Sequence, residues 1–306
     1  MRTVFMGNPE FAIPTLEAIQ KSNHDLIAVV SNPPKPMGRG RKLRLTPVGE
    51  FAKKNHIKLI EPDSLKSPEF KEKLISLNPD IFVVVAFKIL PQEIIDIPSH
   101  GSINLHASLL PKYRGAAPIQ WALINGDKMT GITIFQIVKN VDTGNILLQK
   151  DLKILDSDNM LTLGTRLCSL GASLTIQVLD KIKKKSINMI EQDHALASIA
   201  PKISKEMRLI NWKLPSNKIH NWIRGLSPSP GMYTYINNKT LRIYKTSIIQ
   251  SSLCKPGEII EINKRFLVGT GEGILEILEM QLEGKKRLSA IEFIKGAKIA
   301  TGFILG

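Results

Sequence analysis

Three polar side chains, carried by two short segments of the chain, have the chemistry to act on a carbonyl group. Asn104 and His106 are two residues apart, and Asp142 follows later in Val141-Asp142-Thr143-Gly144. An amide donor beside an imidazole can polarise a carbonyl and hold the oxyanion that forms when a nucleophile attacks it. A carboxylate opposite the ring would orient it and favour its charged form. The three residues therefore predict addition to a carbonyl carbon, although Asn-x-His alone is usually no more than a polar strand end.

The predicted elements around these residues would bring them together. The pattern at residues 103–105 predicts a strand, so Asn104 and His106 leave the same face. A loop rich in proline and glycine follows, and residues 131–138 and 145–152 predict antiparallel edge strands whose turn, at 140–144, carries Asp142. Open parallel sheets usually bind ligands at the carboxyl ends of their strands, so we expect the site there.

The first half of the chain alternates strands with helices. Helical patterns separate apolar segments that predict strands at residues 3–6, 25–30, 57–60 and 81–85. This order predicts an α/β fold with a Rossmann-like, mostly parallel sheet. Gly7-Asn8-Pro9 follows the first strand, and the absence of Gly-x-Gly-x-x-Gly there argues against a nicotinamide or flavin cofactor.

The hydrophobic pattern of the sequence changes at two places in the second half of the chain. Residues 158–184 predict a long helix, and residues 187–206 are polar and aperiodic. Short segments bounded by glycine, proline and asparagine follow, a spacing typical of a small β-barrel. We therefore predict a Rossmann-like domain at 1–186, a linker at 187–206 and a C-terminal barrel of the oligonucleotide-binding type at 207–306.

The composition adds a strong positive charge. The chain has 42 lysines and arginines against 27 aspartates and glutamates, a formal net charge of +15. Such a surface favours a polyanionic partner, although a general excess of lysine would give the same number. Residues 31–47 predict a long polar loop, in which five cations fall within ten residues that contain no acid: Lys35, Arg39, Arg41, Lys42 and Arg44.

Several other classes of protein are disfavoured. No window approaches eighteen uncharged apolar residues, so we expect no membrane span. Cys168 and Cys254 are far apart and form no metal-type pair, so we expect no metal, no disulfide framework and a reducing cytoplasm. Nothing in the sequence requires more than a monomer.

One long run of sequence resembles a known family. Asn104-x-His106 followed by Ala-Ser-Leu-Leu-Pro-x-Tyr-Arg-Gly-Ala-Ala-Pro, and later by Asp142-Thr143-Gly144, is similar to the central motif of the folate-dependent formyltransferases. The similarity runs nearly end to end and includes residues 5–12, 38–42, 204–206, 210–212, 228–231 and 269–273. The early basic segment and the C-terminal matches are most similar to the members that act on methionyl-tRNA.

The resemblance implies a reaction, two substrates and a set of site residues. A formyl group would pass from 10-formyltetrahydrofolate to the α-amino group of initiator methionyl-tRNA, giving N-formylmethionyl-tRNA for translation initiation. Asn104 and protonated His106 would hold the oxyanion, and Asp142 would orient His106 and order a water that carries the proton. The implied folate contacts are Ala86, Phe87, Lys88, Ile89, Leu90, Ser108, Leu109, Leu110, Pro111, Asn140, Val141 and Gly144. The five cations of residues 35–44, the barrel and the lysines of residues 181–185 would contact the tRNA.

The chain departs from the family's pattern in two places. Members usually have Ala-Tyr-Gly before a Leu-Pro pair, whereas this chain has Ala86-Phe87-Lys88 and is one residue shorter. The missing glycine is the residue best able to adopt a positive φ. Members often have aspartate before the tryptophan that follows the linker, and Asn211 stands there in this chain.

Three other functions share part of the pattern. A sister formyltransferase acting on a small amine, such as a sugar nucleotide or a purine precursor, would use the same Asn104, His106 and Asp142 but would not need the basic loop. A hydrolase that releases formate from the folate would use the three residues with water as acceptor. A nucleic-acid-binding protein with an inactive Rossmann-like domain would have no use for them.

Overall fold

The computed structural model describes residues 1–37, 40–249, 255–296 and 299–306, so that Arg39, one of the five predicted cations, lies outside the described residues. The chain divides into two compact units, each made of several stretches. Unit 1 contains Met1–Pro118, Met129–Lys153 and Gly164–Ala200; unit 2 contains Ile119–Lys128, Ile154–Leu163 and Pro201–Gly306. The limits at residues 186 and 206 stay a prediction.

Unit 1 is built on a mostly parallel sheet. Its strands, in chain order, are β1 (Arg2–Gly7), β2 (Asp25–Val30), β3 (Lys35–Met37), β4 (Lys42–Arg44), β5 (Leu59–Ile60), β6 (Ile81–Val85), β7 (Ser102–His106), β8 (Met129–Gln136) and β9 (Ile146–Lys153). The main sheet has the order β5-β2-β1-β6-β7-β8-β9. Its strands are parallel from β5 to β7, and β8 and β9 are antiparallel additions.

Helices alternate with these strands, and two of them begin at a side-chain cap. They are α1 (Ile13–Lys21), α2 (Pro47–Lys54), α3 (Pro68–Ser76), α4 (Gln92–Ile95), α5 (Pro118–Asn125) and α6 (Met160–Lys183). The side-chain oxygens of Thr46 and Ser67 accept hydrogen bonds from backbone N–H groups in the first turns of α2 and α3, and each cap is followed by proline. Such caps satisfy donors that the helix itself cannot pair.

Both faces of the main sheet are covered, and β6 is therefore buried along its whole length. One face carries a buried apolar cluster that includes Met6 and Val84, and Val84 pairs in register with Asn104 of β7. On the other face α6 approaches β7 so closely that a Cβ on Gly171 would meet the side chain of Leu105. The predicted α/β class is confirmed.

Three details of the predicted fold are wrong. Residues 31–47 are not one loop, because β3 and β4 form a two-stranded hairpin there. The hairpin escaped prediction because each of its strands is only three residues long, too short for a periodic pattern, and its described side chains are exposed. The strand predicted at 57–60 is only Leu59–Ile60, and β8 is not an edge strand, since it lies between β7 and β9.

Unit 2 contains a curled antiparallel sheet, which forms half a barrel. Its further elements are α7 (Ser216–Gly225), β10 (Met232–Ile236), β11 (Lys239–Ile249), β12 (Ile259–Glu261), β13 (Phe266–Gly269), β14 (Ile274–Leu282), β15 (Leu288–Ser289) and α8 (Ala290–Gly296). The order is β10-β11-β14-β13-β12, with β15 paired to β14. Leu241, Phe266 and Ile277 are fully buried in its core, and the indole N–H of Trp212 donates to Thr234 Oγ1 at 3.1 Å.

The first part of the predicted linker is hydrogen-bonded within unit 1. Ile190 and Ile146 exchange backbone hydrogen bonds of 2.8 and 2.9 Å. Arg114 donates its N–H to the carbonyl of Ser198 at 2.8 Å and accepts from the N–H of Ala200 at 2.7 Å. Residues 187–200 therefore form an ordered strap on unit 1.

Two further properties bear on function. No helix within the part of the chain that the structure describes is long and apolar enough to cross a membrane. Burial raises the pKa of the Cys168 thiol to about 12. Cys168 therefore stays a neutral thiol at physiological pH, which removes it from consideration as a nucleophile.

Candidate active site

Strand β7 places Asn104 and His106 on one face of the main sheet, as their spacing predicts. Asn104 pairs across the sheet with Phe135 of β8, and His106 pairs with Thr133. His106 is only 6% exposed, whereas Asn104 is partly exposed. The amide is thus within reach of a ligand lying on this face, while the imidazole is held deeper.

The imidazole of His106 is fixed by the loop that follows its own strand. Nε2 lies 2.8 Å from the carbonyl oxygen of Tyr113, and the edge of the ring faces Phe135 with centroids 6.4 Å apart. A carbonyl oxygen can only accept, so Nε2 carries a proton and donates it to this bond. The resemblance implies His106 as an oxyanion donor, and Nδ1 is therefore the ring nitrogen left for that task.

Asp142 lies beside that second nitrogen. Its Oδ2 is 3.7 Å from His106 Nδ1, close enough for charge attraction but longer than a hydrogen bond. The same oxygen accepts a hydrogen bond of 2.7 Å from the backbone N–H of Gly115. Asp142 has a left-handed backbone, with φ of 55°, and its side chain is 13% exposed.

The loop carrying Asp142 reaches His106 from an unexpected direction. Gln136, at the end of β8, pairs with Ile103, which lies near the beginning of β7. The loop between β8 and β9 therefore starts at the amino end of β7 and must fold back over the sheet face to place Asp142 beside His106. Gly144 permits this path, because a Cβ there would fall on the carbonyl oxygen of Gln136.

A row of side chains across three strands fastens the loop that follows β7. His106, Thr133 and Gln149 are neighbours in register on β7, β8 and β9. Thr133 Oγ1 donates to the carbonyl of Ser108 at 2.7 Å and accepts from the N–H of Leu110 at 3.1 Å. Gln149 Nε2 donates to Thr133 Oγ1 at 2.8 Å and to the carbonyl of Leu110 at 3.0 Å. The sequence indicates no role for either Thr133 or Gln149, since neither residue belongs to a recognisable motif.

A second fastening comes from the strap at residues 187–200. Gln192 is 4% exposed, and its Nε2 donates to the carbonyls of Asp142 and Gly144 at 3.0 and 2.7 Å. Its Oε1 accepts from Nε and Nη2 of Arg114 at 3.2 and 2.6 Å. Arg114 Nη2 also lies 2.9 Å from Nδ1 of His194. Prediction of a linker here overlooked this contact, because polar, aperiodic sequence gave no sign of a buried amide.

The residues implied for folate divide into accessible and buried groups. Ser108 is fully buried and donates to the carbonyl of Lys112 at 2.6 Å, and Leu110 is packed against Phe135 and Ile146. Leu90 and Gly144 are also buried, and Phe87, Leu109 and Pro111 are partly exposed. The exposed members are Ala86, Lys88, Ile89, Asn140 and Val141.

The loop after β6, where the chain departs from the family's pattern, begins with a left-handed residue. Ala86 adopts a left-handed φ of 49° directly after the strand. Ile89 is 75% exposed, and on the β8–β9 loop Val141 is 50% exposed. Both loops thus present an apolar side chain.

The β3–β4 hairpin presents its cations to solvent. Lys35 and Arg44 are directly opposite each other in register, and Lys42 and Arg41 are also exposed. The base of the hairpin is tied to the end of β1, since Ser31 Oγ donates to the carbonyl of Gly7 at 2.8 Å.

Comparison with known proteins agrees with this architecture. Family profiles described as "Formyl transferase" and "Formyl transferase, C-terminal domain" match residues 1–179 and 202–298. The methionyl-tRNA formyltransferase of Caldanaerobacter subterraneus subsp. tengcongensis is 44% identical over the whole of both chains. That of Thermodesulfovibrio yellowstonii is 46% identical, over 98% of this chain and 97% of its own.

Solved structures resemble the fold. A methionyl-tRNA formyltransferase from Clostridium thermocellum matches with a TM-score of 0.56 at 16% identity, over 81% of this chain and 93% of its own. The N-formyltransferase from Helicobacter canadensis, solved with folinic acid and dTDP-3-aminofucose, matches with a TM-score of 0.68 at 23% identity, over 90% and 98%. With full-length relatives above 40% identity, the chain belongs to the methionyl-tRNA formyltransferase family.

Proposed function

We propose that the chain transfers the formyl group of 10-formyltetrahydrofolate to the α-amino group of initiator methionyl-tRNA, yielding N-formylmethionyl-tRNA and tetrahydrofolate in the cytoplasm. The observation that carries the proposal is the convergence of Asn104, His106 and Asp142 at one face of the sheet, in a chain that is a full-length member of the family. No side chain needs to become covalently modified in this reaction.

The amine nitrogen attacks the formyl carbon, and the carbonyl electron pair moves to oxygen. Asn104 is accessible on β7 and can donate its amide N–H to that oxygen. Because Nε2 of His106 already donates to Tyr113, Nδ1 can donate only when the ring is a cation. The Asp142 carboxylate lies 3.7 Å from Nδ1, where it can orient the ring toward a developing oxyanion.

The tetrahedral intermediate then collapses. The bond between the formyl carbon and N10 of the folate breaks, N10 takes up a proton, and the proton lost by the attacking nitrogen balances it. A water beside Asp142 would carry that proton. The partial exposure of the carboxylate supports this role, because a water can reach it while Gly115 holds its Oδ2 in place.

The folate donor is assigned to the exposed parts of the two loops that flank the catalytic face. Ile89 and Val141 offer apolar contact to a planar ring, and Asn140 and Lys88 offer polar groups at the same loops. Most small-molecule sites combine such apolar walls with a few polar groups. Ser108 and Leu110 act instead through the loop backbone, since their side chains are buried.

The tRNA is assigned to the cations. Like charges directly opposite each other on a hairpin are destabilising, and Lys35 and Arg44 stand in that arrangement. A phosphate between them would relieve the repulsion. The half-barrel adds exposed Lys239, Arg242 and Lys245 on β11, and the lysines at the end of α6 are exposed as well.

One assay distinguishes the proposal from its rivals. The protein is incubated with 10-formyltetrahydrofolate and, in parallel reactions, with charged initiator methionyl-tRNA or with a small amine such as an amino-sugar nucleotide, and the products are separated. N-formylmethionyl-tRNA is expected. Formate released without formylated tRNA would indicate a hydrolase, and formylation of only a small amine would indicate a sister enzyme. If no formylated product and no formate appeared, the chain would be a nucleic-acid-binding protein without this activity. Each of these three results would reject the proposed function.

A further inference from the structure

We propose that Gln192 is a positioning residue for formyl transfer, which sets the location of Asp142 relative to His106. The inference rests on the proposed function, because it assigns a role within that same site. Gln192 touches no reacting atom in this scheme. It acts through the backbone on either side of Asp142 and through Arg114.

The contacts of the Gln192 amide use all of its hydrogen-bonding capacity on two segments. Both hydrogens of Nε2 are donated, one to the carbonyl of Asp142 at 3.0 Å and one to that of Gly144 at 2.7 Å. Both lone pairs of Oε1 face N–H groups of Arg114 at 2.6 and 3.2 Å. The orientation of the amide is determined by this environment, since carbonyls lie on one side and a guanidinium on the other.

The two segments that Gln192 joins are those that hold the catalytic pair. Arg114 stands between Tyr113, whose carbonyl accepts from His106, and Gly115, whose N–H donates to Asp142. Through its hydrogen bonds, Gln192 therefore links the loop that fixes the imidazole of His106 to the loop that carries the carboxylate of Asp142. A shift of either loop would change the distance of 3.7 Å between His106 Nδ1 and Asp142 Oδ2.

The position of Asp142 needs such support. Its φ of 55° is left-handed, a region of backbone conformation that residues other than glycine seldom adopt. The loop reaches the site by folding back over the sheet, and Val141 and Asn140 are exposed and contribute no burial. The two hydrogen bonds from Gln192 brace Asp142 and Gly144 where the loop returns to β9.

Gln192 is itself held on both sides. Ile190 is bonded to Ile146 of β9 through both of its backbone groups, and Ser198 is bonded to Arg114. The side chain thus projects from a strap that is anchored at two points. Because the strap is held at both points, the Gln192 amide has a fixed position and can fix the positions of the two loops that it contacts.

The test uses Gln192→Met, which keeps the length of the side chain but removes every hydrogen bond. Single-turnover formyl transfer is measured at saturating 10-formyltetrahydrofolate and methionyl-tRNA, and steady-state rates over a range of each substrate give the two KM values. A misplacement of about 1 Å can reduce a rate by about 100-fold, and we expect a loss of about that size with little change in either KM. Gln177→Met is the matched control, because Gln177 is an exposed residue of α6 whose amide contacts only Ser173 among the contacts described.

A double-mutant cycle separates positioning from general structural damage. If Gln192 acts through Asp142, then Gln192→Met should lower the rate by no more than about twofold in an Asp142→Asn background, because the carboxylate it positions is already gone. Equal losses in the two backgrounds would overturn the proposal, as would an unchanged rate for Gln192→Met alone.

Two additions keep the test decisive if Gln192→Met folds poorly or if the proposed reaction is wrong. Gln192→Glu retains the acceptor for Arg114 but loses the donors to the two carbonyls, and it should show the same rate loss. Amide hydrogen exchange, measured on peptides covering residues 115 and 140–145, should accelerate in both variants and not in Gln177→Met. Unchanged exchange would overturn the inference, whereas absence of formyl transfer by the wild-type protein would reject only the proposed function.

Discussion

Replacing Thr133 by valine should destabilise the protein and slow formyl transfer together, because one buried hydroxyl fastens the loop after β7. Thr133 is fully buried, and its Oγ1 contacts Ser108, Leu110 and Gln149. Valine keeps the shape of the side chain and removes all three hydrogen bonds. The loop that it would release carries Tyr113, whose carbonyl fixes His106.

The size of the effect follows from the groups that lose their partner. Gln149 keeps a hydrogen bond to the carbonyl of Leu110, but the carbonyl of Ser108 and the N–H of Leu110 lose their contact with Thr133. An unsatisfied buried group costs about 1–3 kcal/mol, so the two together should lower the free energy of unfolding by about 2–6 kcal/mol. That is a large fraction of the stability of an ordinary domain.

The same strand supplies a matched control. Thr130 is 3% exposed, and its hydroxyl has no hydrogen-bond partner among the described residues. Thr130→Val should therefore leave the free energy of unfolding unchanged or raise it. Urea titrations of both variants, fitted with a common slope, give the comparison. Equal destabilisation by the two substitutions would refute the role assigned to Thr133.

Three other expectations concern the hairpin, a strained residue and a partly buried histidine. Neutralising Arg41 and Lys42 to glutamine should weaken tRNA binding and reduce the slope of log K against log salt by about 1.5, whereas the exposed pair Lys53–Lys54 changed in the same way should leave that slope unaltered. Ala86→Gly should raise the free energy of unfolding by about 0.5–1 kcal/mol in urea titrations, because relief of the left-handed strain exceeds the added entropy of the unfolded chain. Burial and a neighbouring guanidinium lower the pKa of His220 below 6.5. Between the lowered pKa and 6.5 the unfolded chain binds a proton more readily than the folded chain, so the free energy of unfolding should rise with pH across that window. Urea titrations at several pH values should show that His220→Gln flattens this rise.

The placement of Asn104 and His106, on the face that we propose to be catalytic, could be predicted because it follows from local rules. A spacing of two in a strand puts Asn104 and His106 on one face whatever the surrounding fold, and the structure places them so. Asp142 was also expected at this site, on the turn between two antiparallel strands, but the loop that carries it crosses the sheet by a route that no periodicity indicates. The parallel sheet could also be predicted, because a chain that alternates strands and helices has few other possible topologies.

What the sequence did not indicate depends on backbone groups and on single polar residues. The proton of His106 Nε2 is committed to the carbonyl of Tyr113, and a carbonyl is present at every position of a chain. Gln192 lies in a segment without periodicity, although its amide is buried. The β3–β4 hairpin was missed for a related reason, since its strands are three residues long and their described side chains are exposed, which leaves no burial pattern.

The most direct test of the central claim is the single-turnover rate of formyl transfer after His106→Ala, with His100→Ala as a control for an exposed histidine outside the site. With both substrates saturating, loss of one oxyanion donor should lower the rate by about 100- to 1,000-fold while the control stays near wild type. A His106→Ala enzyme that turns over as fast as His100→Ala would contradict the assignment of this face of the sheet to catalysis.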